Sequence, residues 1–383
     1  MPITAGQIDT LVGLGCTSVV VDDDESDGIY VPELVSAVVR FKTATKLSNT
    51  ISRFRQLTVG VVQDDPVLAA AALENALKSG QFRRQIKDVD PFANLLMEVQ
   101  ELVEEIMYAE TLDGLDPLIV HHDYALGQSV DSAIVAAMIG KAVGLPLERL
   151  YQLTLGALLH DGGMVFVPTN IVTSPDALTV PERPLVQQHP ALGWQLLREG
   201  KDADSNLLAH HACYQHHERQ DGTGYPRGLT GDNQLETSRA SKYEPGTLHV
   251  LGEIGAVADT YAALSARRPY RDAYPPDEVY QILRESAGSH LNAAIVGKAL
   301  LVMTAYPTGT HIEVLDGPYA AHRGIVAHVD GEHREHPIVR ITRDGDGKLI
   351  EAFDLDLLET SWQIRSVPAR NPEEQARSDR TAD

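Results

Sequence analysis

The stretch from Leu147 to Gly163, "LERLYQLTLGALLHDGG", decides how the chain is read. It is a helical run stopped by two glycines, which end helices readily because they accept the conformations that follow the last turn. A histidine and an aspartate, His160 and Asp161, are left at its end. The neighbouring segments have the same texture, and from about residue 118 to 305 the pattern predicts helix almost throughout. "SVDSAIVAAMIGKAVGL" precedes the run; "VPERPLVQQHPALGWQLLRE", "SNLLAHHACYQHHE", "VLGEIGAVADTYAALSA" and "DEVYQILRESAGSHLNAAIVGKALLVM" follow it. Thr179 with Glu182 three residues on has the spacing of a capping box.

Upstream, Pro91 precedes "FANLLMEVQELVEEIMYAE". Its apolar residues Leu95, Val99, Leu102, Val103 and Ile106 recur at three and four spacing, so an amphipathic helix is predicted. Residues 31–60 and 65–90 also carry helical periodicity, with Gly80 as the expected stop. The first residues read as a helix, "AGQIDTLVGLG", and then a short strand, "SVVVDD". After Tyr306-Pro307 the texture changes to short β-type runs, "THIEVL", "RGIVAHV", "HPIVRITRD" and "KLIEAFDL", separated by Gly-Pro and Asp-Gly turns. A small β-barrel or meander is expected there, followed by a polar tail expected to be disordered. The fold class is mainly α: a helical bundle with a small N-terminal α/β segment and a small C-terminal β-barrel-like module. The expected divisions are 1–90, 91–305, 306–368 and 369–383.

The chain has 383 residues and a formal net charge of −22. So acidic a protein is a poor partner for a nucleic-acid polymer, whose phosphates need Lys and Arg. An anionic substrate would need positive charge concentrated locally, from metal ions and a few arginines. No apolar run reaches the length of a membrane span, no signal peptide is visible, and the two cysteines, Cys16 and Cys213, form no framework. A cytoplasmic protein is expected.

Eight of the 15 histidines lie between His121 and His217. Candidate ligands sit on four helical segments: His160-Asp161, His189, His216-His217 and Asp259. Imidazole with carboxylate suits first-row transition metals such as Fe, Mn, Zn or Ni. An aspartate beside a histidine at a helix end can bridge two ions, and two ions sharing a carboxylate make a site for attack of water on a phosphate ester. A lone histidine on an apolar helix is more often a satisfied core residue, and the pairs 121/122 and 210/211 are read as packing or surface features. Asp259 is harder to dismiss, because it interrupts an apolar helix and a buried unpaired carboxylate is costly. In "DGTGYPRGL", Gly222 and Gly224 permit positive φ, Pro226 fixes the chain direction, and Tyr225 is held in one place.

"LLHDGG", "QQHPALGWQLL", "HHERQDGTGYPRGL" and "VADTYAALSARRPYR" occur in the order and spacing of the HD-GYP family, and residues 92–305 resemble its domain. The resemblance implies an HD-type helical bundle and a metal-dependent phosphodiesterase that hydrolyses cyclic di-GMP to pGpG or GMP. It implies two divalent transition-metal ions, with Fe or Mn foremost and Ni or Zn as alternatives. By resemblance His160, Asp161 and Asp259 hold the first ion, Asp161 bridges, and His189, His216 and His217 serve mainly the second. Arg268 and Arg271 match basic positions that contact substrate phosphate, so Asp161, Arg268 and Arg271 are the catalytic candidates. The turn of Asp221, Gly222, Gly224, Tyr225 and Pro226 matches the surface implicated in substrate access and in binding partners such as GGDEF-domain proteins. A homodimer through the 92–110 helix is the further partner expectation.

Two departures stand out. Gln128 occupies the place of a metal-binding histidine, and Met164 the place of a lysine that helps hold phosphate. Tyr124 stands where some members have a glutamate, so a third ion is not expected. These changes raise the alternative of a degenerate, weakly active or inactive module that binds nucleotide or protein in signalling.

Overall fold

The computed structural model describes residues 26–61, 75–115, 124–174, 176–201, 206–235, 246–267, 271–360 and 362–368, with Gly6 and Ala72. The expected first strand and the C-terminal tail lie outside these residues. The chain divides into two compact units, which are taken separately.

The first unit is helical. Helix α1 (Ala37–Thr58) starts at Ser36, whose hydroxyl oxygen accepts from Val39 N and whose own proton goes to Glu105. The helical run through 75–78 stops at Ser79, beside the stop expected at Gly80, and helix α2 (Gly80–Val89) starts there. Ser79 is the reason: its side chain accepts from Phe82 N and makes it an N-cap, for which serine is favoured. Asp90, at φ 47°, ends α2 and caps α3 (Pro91–Tyr108), with Pro91 where a proline lacks nothing the first turn needs. The predicted stripe of α3 is buried: Leu95, Val99, Leu102 and Val103 are fully inaccessible. Burial within its own unit accounts for that stripe without a second chain.

Helix α4 (Tyr124–Val143) is apolar all round through Ala133–Ile139, as a central helix must be. It packs against α5 (Leu147–Leu158) and α10 (Val250–Ser265). After α5 come a 3-10 turn over Gly162–Phe166 and the one-turn α6 (Thr169–Val172). The predicted helix from 180 to 199 is two pieces, α7 (Glu182–Val186) and α8 (His189–Arg198). Pro190 fits only a first turn, so the helix restarts at His189. Before α7, Glu182 reaches back to Thr179 N at 2.7 Å, half of the capping box read from the sequence. Helix α9 (Ala209–Gln215) packs on α5, α8 and α10. Helices α11 (Pro276–Ser286) and α12 (Ala293–Leu300) follow, the first turn of α11 counting with the second unit.

The second unit holds one five-stranded antiparallel sheet in the order β4-β3-β2-β1-β5. The strands are β1 (His311–Val314), β2 (Arg323–His328), β3 (Ile338–Arg343), β4 (Leu349–Asp356) and β5 (Ile364–Ser366), with one turn of helix, α13 (Leu357–Thr360), before β5. The first four are the predicted runs; three-residue β5 is too short to carry alternation. Ile312, Val314, Val326, Val339 and Ile341 form its fully buried core.

Candidate metal centre

Glycine lets the site close. A Cβ on Gly163 would lie 2.0 Å from the carbonyl oxygen of His189, so the turn after His160-Asp161 can touch the start of α8 only without a side chain there. His160 follows the end of α5, His189 opens α8 and His216 ends α9. Each lodges its Nδ1 on the carbonyl three residues earlier: Ala157 at 2.6 Å, Val186 at 2.7 Å and Cys213 at 2.8 Å. A carbonyl only accepts, so each Nδ1 carries a proton, and in the neutral ring each Nε2 presents a lone pair. Metal-ligating histidines are fixed in this way.

The three Nε2 atoms converge. Those of His189 and His216 are 3.1 Å apart. Two lone pairs at that distance repel unless a proton or a cation lies between them. His160 Nε2 is buried 3.3 Å from Asp161 Oδ2 and 3.4 Å from Asp259 Oδ1, yet makes no hydrogen bond of proper geometry. Asp161 Oδ1 lies 3.2 Å from His189 Nε2, so its two oxygens face two different imidazoles. Two donor groups result, His160/His216/Asp259 and His189/His216/His217, and their ligand atoms lie within 4.8 Å of one another. His216 belongs to both, where the resemblance assigned it mainly to one. Orphaned buried nitrogens, opposed lone pairs and two carboxylates fit divalent transition-metal ions.

Without a metal, the electrostatics set His160 apart from the other imidazoles. Burial works against charge on His160, but Asp161 and Asp259 beside it hold its pKa well above the ordinary value. Burial likewise opposes charge on Asp161, and His160 and His189 hold its pKa well below the ordinary range. His216 is pushed well below the usual histidine value by burial and then by the neighbouring imidazoles, and His217 falls to about 4 for the same reasons. The carboxylates therefore stay ionised and His216 and His217 stay neutral, while His160 must release a proton for an ion to bind.

Gln128 is buried and its Nε2 donates to Asp259 Oδ1 at 2.8 Å. Gln128 thus sits among the converging side chains and holds Asp259. Met164 lies on the 3-10 turn and packs beside Val167, Ile171 and Leu185. Arg268 lies outside the described residues. Arg271 Nη2 donates to the carbonyl of Ala263 at 2.6 Å, near the end of α10, and Arg271 is not among the residues that line the cavity at the centre.

The turn after His217 is built on Glu218, a residue whose structural part the sequence did not signal. Its buried carboxylate accepts from the backbone of Arg227 at 2.7 Å and of Leu229 at 2.8 Å, clamping both sides of the loop. Asp221 accepts from Thr223 N at 2.9 Å and pairs with Arg219 at the same distance. Gly222 has φ +76°, as expected, whereas Gly224 does not have positive φ. Gly224 is needed for close approach instead: a Cβ there would stand 2.5 Å from Arg219 N and 2.6 Å from His217 O. The Tyr225-Pro226 bond is cis, and the Tyr225 ring lies 4.6 Å from that of His217.

A cavity of about 840 Å³ opens on Asp161, His189, His217 and Asp259. Leu126, Leu158, Val165, Ile171 and Tyr225 give it largely apolar walls. Leu47, Ile51 and Arg55 of α1 complete them, and Arg183 of α7 lines it too. Neither Arg55 nor Arg183 was singled out from the sequence, because an exposed arginine leaves no pattern.

Residues 115–295 match the family model described as HD domain. A cyclic di-GMP phosphodiesterase of Pseudomonas aeruginosa is 28% identical over 246 residues, covering 63% of this chain and 54% of the relative. The cyclic di-GMP phosphodiesterase response regulator RpfG of Xanthomonas campestris is 29% identical over 214 residues, 54% of this chain and 52% of the relative. The 3'3'-cGAMP-specific phosphodiesterase 3 of Vibrio cholerae is 34% identical over 163 residues, 43% of this chain and 32% of the relative. The chain spans about half the length of the first two relatives and about a third of the last. Among the described residues no helix is long and apolar enough to cross a membrane.

Proposed function

Because this chain belongs to the HD-GYP family, we propose that it is a metal-dependent phosphodiesterase hydrolysing cyclic di-GMP to pGpG or GMP at a two-ion centre. The observation that carries this reading is Asp161, whose two oxygens face His160 and His189 at 3.3 and 3.2 Å, the disposition of a bridging carboxylate. His160 and Asp259 would hold one ion and His189 and His217 the other, with His216 between them. When bound, such a pair supplies Lewis acidity and an activated water for in-line attack on a phosphodiester. The chain's own residues do the rest. Backbone carbonyls orient the imidazoles, Gln128 steadies Asp259, and the apolar walls exclude bulk water. Arg268 and Arg271 are assigned to substrate phosphate by resemblance; Arg271 Nη2 also donates to the carbonyl of Ala263 near the end of α10. The loop over 221–226 is assigned to substrate access and to a GGDEF-domain partner, and the setting is the cytoplasm.

A second reading is favoured by one observation. The Gln128 amide occupies an oxygen of Asp259 that would otherwise face a metal, and an amide oxygen binds these ions more weakly than imidazole. A module that binds nucleotide or protein without efficient turnover follows from that weakening. Chromatography separates the two. Cyclic di-GMP is incubated with protein loaded anaerobically with Fe(II) or Mn(II). The enzyme reading predicts pGpG or GMP, lost in Asp161→Ala and raised in Gln128→His. Intact substrate with both metals, in wild type and in Gln128→His alike, would leave the signalling module as the function.

A further inference from the structure

The cavity at the metal centre is closed on one side by a helix that the HD-domain match, residues 115–295, does not include. Leu47, Ile51 and Arg55 stand four residues apart on α1, which puts them in line on one helical face. Leu47 is 1% exposed and anchors that face, while Arg55 is exposed at the cavity. Arg183 is the other cationic residue among the described residues that line this space. Neither guanidinium has an ion-pair partner among the described residues; Asp176 also lines the cavity and pairs with neither. Arg40, Arg219, Arg323 and Arg340, by contrast, are matched to carboxylates. Close by, Met164 lines the same cavity without a charge.

We propose that Arg55 and Arg183 form the subsite for the second phosphate of a cyclic dinucleotide, taking over the charge that Met164 does not supply. The inference rests on the phosphodiesterase reading and deepens it. A cyclic dinucleotide carries two phosphodiester groups on opposite sides of its ring, each with one negative charge. When one sits at the metal centre, the other needs a partner inside the same space. The volume, about 840 Å³, lies within the range of small-molecule sites, roughly 300–1,000 Å³. A guanidinium–phosphate contact is charged on both sides, which makes it stronger than a neutral hydrogen bond. A guanidinium offers a planar fork of donors to phosphate that lysine lacks. Helix α1 is thereby a selectivity element of the site, favouring ligands with two phosphates over those with one.

Titration calorimetry on the Mn(II)-loaded full chain tests this with two ligands: a hydrolysis-resistant phosphorothioate analogue of cyclic di-GMP, and GMP, which has a single phosphate. Arg55→Gln, Arg183→Gln and the double variant are compared with wild type, with melting temperature as the check that these exposed substitutions leave the fold intact. The double variant is expected to bind the analogue about tenfold to a hundredfold more weakly, the range for hydrogen bonds to charged groups, with GMP affinity unchanged. Analogue affinity that is unmoved in the double variant, or an equal loss for GMP, would overturn the subsite while leaving the enzyme reading intact. Wild-type protein that binds GMP but not the analogue, or neither ligand, would sink the substrate reading and the subsite with it.

Discussion

His160, His189 and His216 share one local device: an imidazole whose Nδ1 proton is held by the carbonyl three residues back. Each ring is thereby aimed by its own backbone, and the site depends on how closely the three backbones approach. Gly163 sets that approach. Gly163→Ala would drive a methyl into the carbonyl of His189, so overpacking predicts a loss of about 1–3 kcal/mol. Mn(II) affinity should fall along with stability. Denaturant unfolding and metal titration check this; a variant with wild-type metal affinity would mean the turn does not position His189. Asp259 was legible because a carboxylate inside an apolar helix has no bland explanation. That His216-His217 rather than His210-His211 join the converging side chains was legible mainly through the resemblance, since the two pairs look the same in sequence. Those two are stacked in the core on Phe92 and His249 instead. Glu218, Arg55 and Arg183 were not legible, because what they do is fixed by neighbours distant in sequence or by exposure alone.

At the scale of elements, α1 does most to tie the N-terminal region to the site. Its Phe54 is 1% exposed among Phe82, Ile86, Val165 and Phe166, and Thr58 donates its hydroxyl proton to the carbonyl of Val165 at 3.0 Å. Arg40 pairs with Asp131 of α4 at 3.2 Å in a buried setting. Phe54→Ala should lower the stability of this unit by about 3–5 kcal/mol and loosen the wall that Leu47, Ile51 and Arg55 form. Urea denaturation of wild type and variant measures the first effect. A loss under 1 kcal/mol would show that α1 packs less firmly than its burial implies. Helix content was readable wherever an apolar stripe persisted over several turns, as in α3. One end was misread where Pro190 split a predicted helix at His189, whereas the stop expected at Gly80 falls where the run 75–78 gives way to α2.

For the whole molecule, the balance of charge returns to the metal centre. A chain with 54 acidic and 32 basic residues has little positive charge to offer an anionic ligand, and it gathers two carboxylates and four imidazoles at one point instead. Divalent ions there would reverse the local sign, which makes the centre the natural place for a phosphate. They also stabilise the folded chain, because the unfolded chain has no preformed site. The most direct measurement is metal content per chain by mass spectrometry after anaerobic loading with Mn(II) or Fe(II) and removal of free metal, on wild type and Asp161→Ala. About two ions per chain are predicted in wild type, the number two-ion hydrolytic sites hold, and both should be lost or greatly weakened when the bridging carboxylate is removed. No bound metal in wild type, or content unchanged in Asp161→Ala, would contradict the account.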